Sequence, residues 1–159
     1  MTPIEIQELR DAIVAEALTW EGTPYHHMGD IKGEGVDCAM LLVRVYQALG
    51  IVPGGFDPRP YPPEWHLHRS YEMFRGWTEG YAHLCGSRGD DGTMEGRLPL
   101  PGELIVYKFG RCYSHGAIAI GDGMVIHSYL REGVVRAAMA DDVLGDRPAL
   151  YYTLWAEAV

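Results

Sequence analysis

The chain has 159 residues, 47% of them hydrophobic and 22% charged, with a formal net charge of −9. That length suits one domain around one core, and the composition excludes wholesale disorder. The acidic balance without any basic run excludes nucleic acid as a partner, and no apolar stretch approaches the ~20 residues that span a bilayer, so no membrane partner is expected either.

The start, "MTPIEIQELR", has no basic segment followed by an apolar run, which predicts a protein made in the cytoplasm without a signal peptide. "TPIEIQELRDAIVAEALTW" carries Thr2, Pro3 and Glu5 in the positions of a capping box. Ile6, Leu9, Ile13, Ala17 and Trp20 then recur at helical steps, and Pro24 biases Thr23 away from helix, so an amphipathic helix ends near Gly22. From Asp37 the spacing of Leu41, Leu42, Val45 and Leu49 predicts a second helix. Asp37 stands at its N-cap, Cys38 in its first turn and Gly50 just past its end.

Residues from about Pro53 to Pro101 are rich in Pro, Gly, aromatics and charge. Only one helix, near "EWHLHRSYEMFRGW", is legible there, with His66 and His68 read as solvated side chains. After Pro101-Gly102 the period changes: "ELIVYKF", "HGAIAI", "MVIHSY" and "ALYYTLWAEA" read as strands, and "GDG" between two of them signals a hairpin. Helices followed by an antiparallel sheet predict an α+β domain over 1–159, with an insertion at about 53–100.

A three-residue loop Gly121-Asp122-Gly123 sets Ile120 opposite Met124, Ala117 opposite His127 and His115 opposite Tyr129. His115 and His127 are then diagonal neighbours on one face, roughly 7 Å apart with rings in reach of each other. Ile118, Ile120, Met124 and Ile126 share the other face, and Ala117 and Ala119 leave a strip on which a helix can pack closely. A two-residue Asp122-Gly123 turn would separate the histidines and mix large and small residues on both faces, so it ranks second.

A helix packed on that alanine strip brings Cys38 to His115. A helix N-terminus and an adjacent imidazolium both favour thiolate, so the thiol is expected below its usual ~8.5 and open to alkylation well below pH 8. His127 would orient the His115 ring, as the third member of a triad does. Cys38, Cys85 and Cys112 are odd in number and widely spaced, which fits reduced thiols rather than a disulfide framework. Cys112 and His115 have a C-x-x-H spacing, but no fourth ligand at fixed spacing is evident, so no metal is predicted. Neither His26, His27 nor His83 has a partner legible in the sequence.

Three blocks in order, "WEGTPYHHMGDIKGEGVDCAMLLVRVY", "LPLPGELIVYKF" and "SHGAIAIGDGMVIHSY", resemble the NlpC-type cell-wall peptidases, papain-like cysteine enzymes that cut peptidoglycan stem peptides. The compact size and "YPPEWHLHRSYEMF" are similar to the phage-tail and gene-transfer-agent members. The resemblance implies a papain-like domain with Cys38 as nucleophile, His115 as base and then acid, and His127 as its orienting group. Tyr25 of "GTPY" would help hold the substrate carbonyl, and Asp37 matches a position that recognises a substrate amine in some members.

The implied substrate is a peptidoglycan stem peptide, cut between γ-D-glutamyl and the diamino acid without any cofactor. The implied setting is a phage-like tail whose proteins are partners and which acts on the cell wall. Ala39-Met40 departs from the family's small Ser-Gly pair, and Met40 is placed to narrow either the approach of helix to sheet or that of substrate to thiol. A structural tail-tip module on the same fold and an N-acetylmuramoyl-L-alanine amidase remain as alternatives.

Overall fold

In a computed structural model that describes residues 1–63 and 72–155, the first helix begins as its sequence dictates. Thr2 Oγ1 accepts from the Glu5 N–H at 3.1 Å, and the Glu5 carboxylate accepts from the Thr2 N–H at 2.7 Å, closing the capping box of α1 (Pro3–Leu18). Its inner face buries Ile13 and Ala17. Asp37 caps α2 (Cys38–Ala48), which buries six side chains including Met40, Leu41 and Val45. In the middle region α3 (Met73–Glu79) is helical; residues 64–71, with His66, His68 and most of the expected helix, lie outside the described residues.

A two-stranded ladder, β1 (Asp30–Ile31) with β2 (Gly35–Val36), precedes α2. The main sheet comprises β3 (His83–Arg88), β4 (Met94–Gly96), β5 (Leu104–Phe109), β6 (Cys112–Gly121), β7 (Met124–Tyr129), β8 (Gly133–Ala138) and β9 (Ala149–Thr153). These seven are antiparallel in the order β4-β3-β9-β5-β6-β7-β8. The α+β class read from the sequence is therefore the class observed. "HLCGSR", "MEG" and "GVVRAA" hold too few β-branched or aromatic residues for β3, β4 and β8 to stand out in the sequence.

Alternation along the central strands explains their unbroken apolar runs. Leu104 and Val106 of β5, Leu150 and Tyr152 of β9, and Ile118 and Ile126 of the hairpin join the core beneath the helices. Ile105, Tyr107, Ala149, Tyr151, Ala117 and Val125 face the other way, into a second cluster closed by Leu144 on the β8–β9 connection. Both faces of the sheet's centre are thus covered, and β5, β6, β7 and β9 each carry apolar residues on both.

Two details of the hairpin differ from expectation. The turn has two residues, with Gly121 paired to Met124 and with Asp122 and Gly123 at φ +54° and +71°, the left-handed pair that a type I′ turn demands. A bulge between Ala119 and Gly121 absorbs one residue, so Ala119 pairs with Val125 and Ile118 with Ile126, the register expected from a three-residue loop. The helix also packs on the face opposite to the one expected. A Cβ on Gly116 would lie 2.5 Å from Phe74 and 2.8 Å from Leu42, so the gap that admits α2 and α3 is a glycine, whereas Ala117 belongs to the far core.

Candidate functional site

The segment before α2 is fixed from three sides. Gly22 N–H donates to Val134 O and Val134 N–H to Thr23 O, both at 2.9 Å, which lays residues 22–23 along the edge strand β8. Tyr25 bridges Val36, and Ser128 Oγ on β7 donates to Val36 O at 2.7 Å. These ties set Tyr25 and the first turn of α2 against the end of the hairpin.

Asp37 is 2% exposed and fully engaged. One carboxylate oxygen accepts from the Met40 N–H at 2.9 Å, the capping bond. The other accepts from the Met28 N–H at 2.7 Å and from the Tyr61 hydroxyl at 2.5 Å. His27 stands 3.9 Å from the same oxygen, and its Nε2 is 3.1 Å from the Tyr61 carbonyl oxygen. His27 therefore has partners that the sequence did not reveal. Met40 is fully buried in the core and does not line the cleft, whereas Ala39 does, so Met40 does not narrow the approach of substrate to the thiol.

Tyr25, Asp37, Cys38 and His115 line one cleft of about 430 Å³. His127 stands behind His115, with Nε2 of His115 and Nδ1 of His127 2.7 Å apart and the rings perpendicular at 81°. His115 is further enclosed by Phe109, 4.7 Å away between ring centroids, and by Tyr129 at 5.9 Å. The expected diagonal contact is thus present. It arises through the register that the bulge restores.

The cleft's other wall comes from the middle segment, through Tyr61, Pro62 and Pro63 and through Phe74 and Trp77 of α3. Tyr61 and Trp77 pack at 5.4 Å between centroids. None of these aromatics stood out in the sequence, because nothing local ties residue 61 or 77 to residue 38.

The thiol is held differently from expectation. Cys38 Sγ lies 3.7 Å from the Ser114 carbonyl oxygen and donates to it. Burial, and then the adjacent Asp37 charge, push the thiol up to about 12, against the downward pull of the N–H groups of Gly116, Ala39 and Cys38. The resting sulfur is a neutral thiol, and the expected low value is corrected. Burial likewise holds His127 down at about 4, partly opposed by the Asp141 charge, so that ring is neutral near pH 7. Cys112 is fully buried in the helix-side core.

The arrangement is of a defined class: a cysteine at a helix N-terminus sharing a cleft with the first of two bonded histidines on an antiparallel sheet, the papain-like α+β layout. The fold is similar to that in the crystal structure of the NlpC/p60 domain of the peptidoglycan hydrolase SagA. The two are 22% identical with a TM-score of 0.54, over 89% of this chain and 97% of that one. The sequence matches no protein-family model and no curated protein. Among the described residues no helix is long and apolar enough to cross a membrane.

Proposed function

We propose that the chain is a cysteine peptidase that hydrolyses the peptide part of peptidoglycan, with residues about 53–100 as an insertion in a single catalytic domain. The observation that carries this reading is the shared cleft of Cys38 and His115, with His127 bonded to the far side of the His115 ring. The fold of a peptidoglycan hydrolase domain supports the substrate class.

In this reading the Cys38 proton passes to His115 as sulfur attacks the scissile carbonyl, and His127 holds the ring that receives it. The oxyanion is met by the Cys38 N–H, which the helix start leaves without an intrahelical acceptor, and by the Tyr25 hydroxyl. Collapse expels the amine, which takes the proton from His115. Water then attacks the thioester with His115 again as base, releasing a carboxylate and restoring the thiol. The bond cut is that between γ-D-glutamyl and the diamino acid. Asp37 acts mainly as the helix cap, and its carboxylate, which lines the cleft, would take a substrate amine only in exchange for the bonds that Met28 and Tyr61 make to Oδ2.

The setting is a phage-like tail, where attachment to a particle delivers an acidic enzyme to an anionic wall. Mass spectrometry of fragments released from purified peptidoglycan tests the activity. Wild type should release dipeptide-bearing fragments and Cys38→Ala should release none. Silence from both folded proteins would instead support a structural tail module, and fragments cut between sugar and peptide would support an amidase. Absence of this chain from purified phage-like particles would remove the tail setting.

A further inference from the structure

We infer that Asp141, on the connection behind the sheet, is a positioning residue that fixes the tautomer of His127 and thereby decides which nitrogen of His115 serves Cys38. One proton lies between His115 Nε2 and His127 Nδ1, which are 2.7 Å apart. A neutral imidazole carries a single N–H, so the direction of that bond depends on what the other nitrogen of His127 meets.

His127 also lines a second cleft, of about 500 Å³, on the sheet face away from α2, and Asp141 lines the same cleft. Asp141 is held there: its Oδ1 accepts from the N–H groups of Val143 at 3.0 Å and Leu144 at 2.7 Å, and without a hydrogen bond or ion pair to His127 it acts on that ring by its charge across the cleft. A fixed carboxylate on that side favours N–H at His127 Nε2 and repels a lone pair there. His127 Nδ1 is then the acceptor, His115 donates through Nε2–H, and Nδ1 becomes the basic atom of His115.

Two other charged groups face this cleft, Glu132 and Arg136. Arg136 is bound to Glu21 at 2.6 and 3.0 Å, so its charge is compensated. Glu132 is exposed on the β7–β8 turn and would act in the same sense as Asp141, but screened by water. The catalytic consequence rests on the proposed role of His115, whereas the tautomer does not.

The test is long-range proton–nitrogen NMR of the 15N-labelled full chain near pH 7, with Asp141→Asn, Asp141→Ser and Glu132→Gln compared with wild type. Both Asp141 variants keep an oxygen that can accept from the Val143 and Leu144 N–H groups, so the fold has two chances to survive without the charge. Wild type and Glu132→Gln should show His127 as the Nε2–H tautomer, and both Asp141 variants a mixed or reversed pattern. In stem-peptide hydrolysis kcat should fall roughly tenfold or more in the Asp141 variants with KM unchanged, as is usual for groups that orient a functional imidazole. An Nδ1–H pattern for His127 in wild type, or a pattern that does not change in either Asp141 variant, overturns the inference. If no variant hydrolyses peptidoglycan, the activity reading fails, while the tautomer still decides this one.

Discussion

At the scale of single residues, the side chain that departs most from its expected state is Cys38. A cysteine at a helix start beside histidines suggests a standing thiolate, yet here burial and the Asp37 carboxylate outweigh the N–H groups that point at the sulfur. The thiol instead donates to Ser114 O. In the proposed mechanism attack therefore has to be coupled to proton transfer, with the thiol turning from that carbonyl toward His115 as substrate enters. Alkylation of wild type by iodoacetamide should stay slow through pH 8 and keep rising beyond it. Asp37→Asn removes the charge and retains a good cap, so labelling should be faster at every pH, at the cost of the Met28 bond to Oδ2. A wild-type plateau below pH 8 would contradict this picture and restore the thiolate.

Elements show why part of the site was legible and part was not. Capping signals are local, so Thr2, Asp37 and Cys38 could be placed from spacing alone, whereas the diagonal meeting of His115 with His127 was reached through a three-residue loop that the structure replaces with a two-residue turn and a bulge. The face chosen by α2 could not be read from spacing. Ala117 and Gly116 are adjacent small residues, and only the tertiary arrangement of Phe74 and Leu42 shows which of them admits the helices. Asp141 and Tyr61 were missed for the same reason: one lines the cleft behind His127 and the other bonds to the cap from distant points in the chain, where no period or motif links them. Glycine within a strand was the one available clue to close backbone approach. Gly116→Ala should accordingly cost about 1–3 kcal/mol by overpacking, measured as a lower denaturant midpoint with unchanged slope. Phe74→Leu in that background should recover part of the loss, and a fully additive double mutant would show that the clash lies elsewhere.

For the molecule as a whole, two buried ionisable groups make stability depend on pH in the same direction. Glu103 at the entry to β5 is fully buried. It accepts from Arg97 at 2.7 and 2.9 Å and from the Leu100 N–H at 2.7 Å, with Arg10 of α1 3.6 Å away. Burial alone would raise its carboxyl, but the hydrogen bonds from Arg97 lead those that hold it below the ordinary value. The stabilisation it brings is therefore present above the unfolded carboxyl value and is lost as pH falls through the folded one. His127 acts at higher pH. Its folded value of about 4 lies below the ordinary 6.5, so the unfolded chain binds this proton first. No stability is lost above 6.5, and the loss then grows until pH reaches about 4. At about 1.4 kcal/mol per pH unit that gap corresponds to about 3 kcal/mol. Chemical denaturation across this range should show the unfolding free energy falling by about that amount in wild type. His127→Gln, which cannot titrate, should flatten the upper part of the curve and leave the carboxylate-driven loss at lower pH. If the wild-type and His127→Gln curves run parallel between pH 6.5 and 4, burial does not hold the ring below its ordinary value and this account of the acid loss fails.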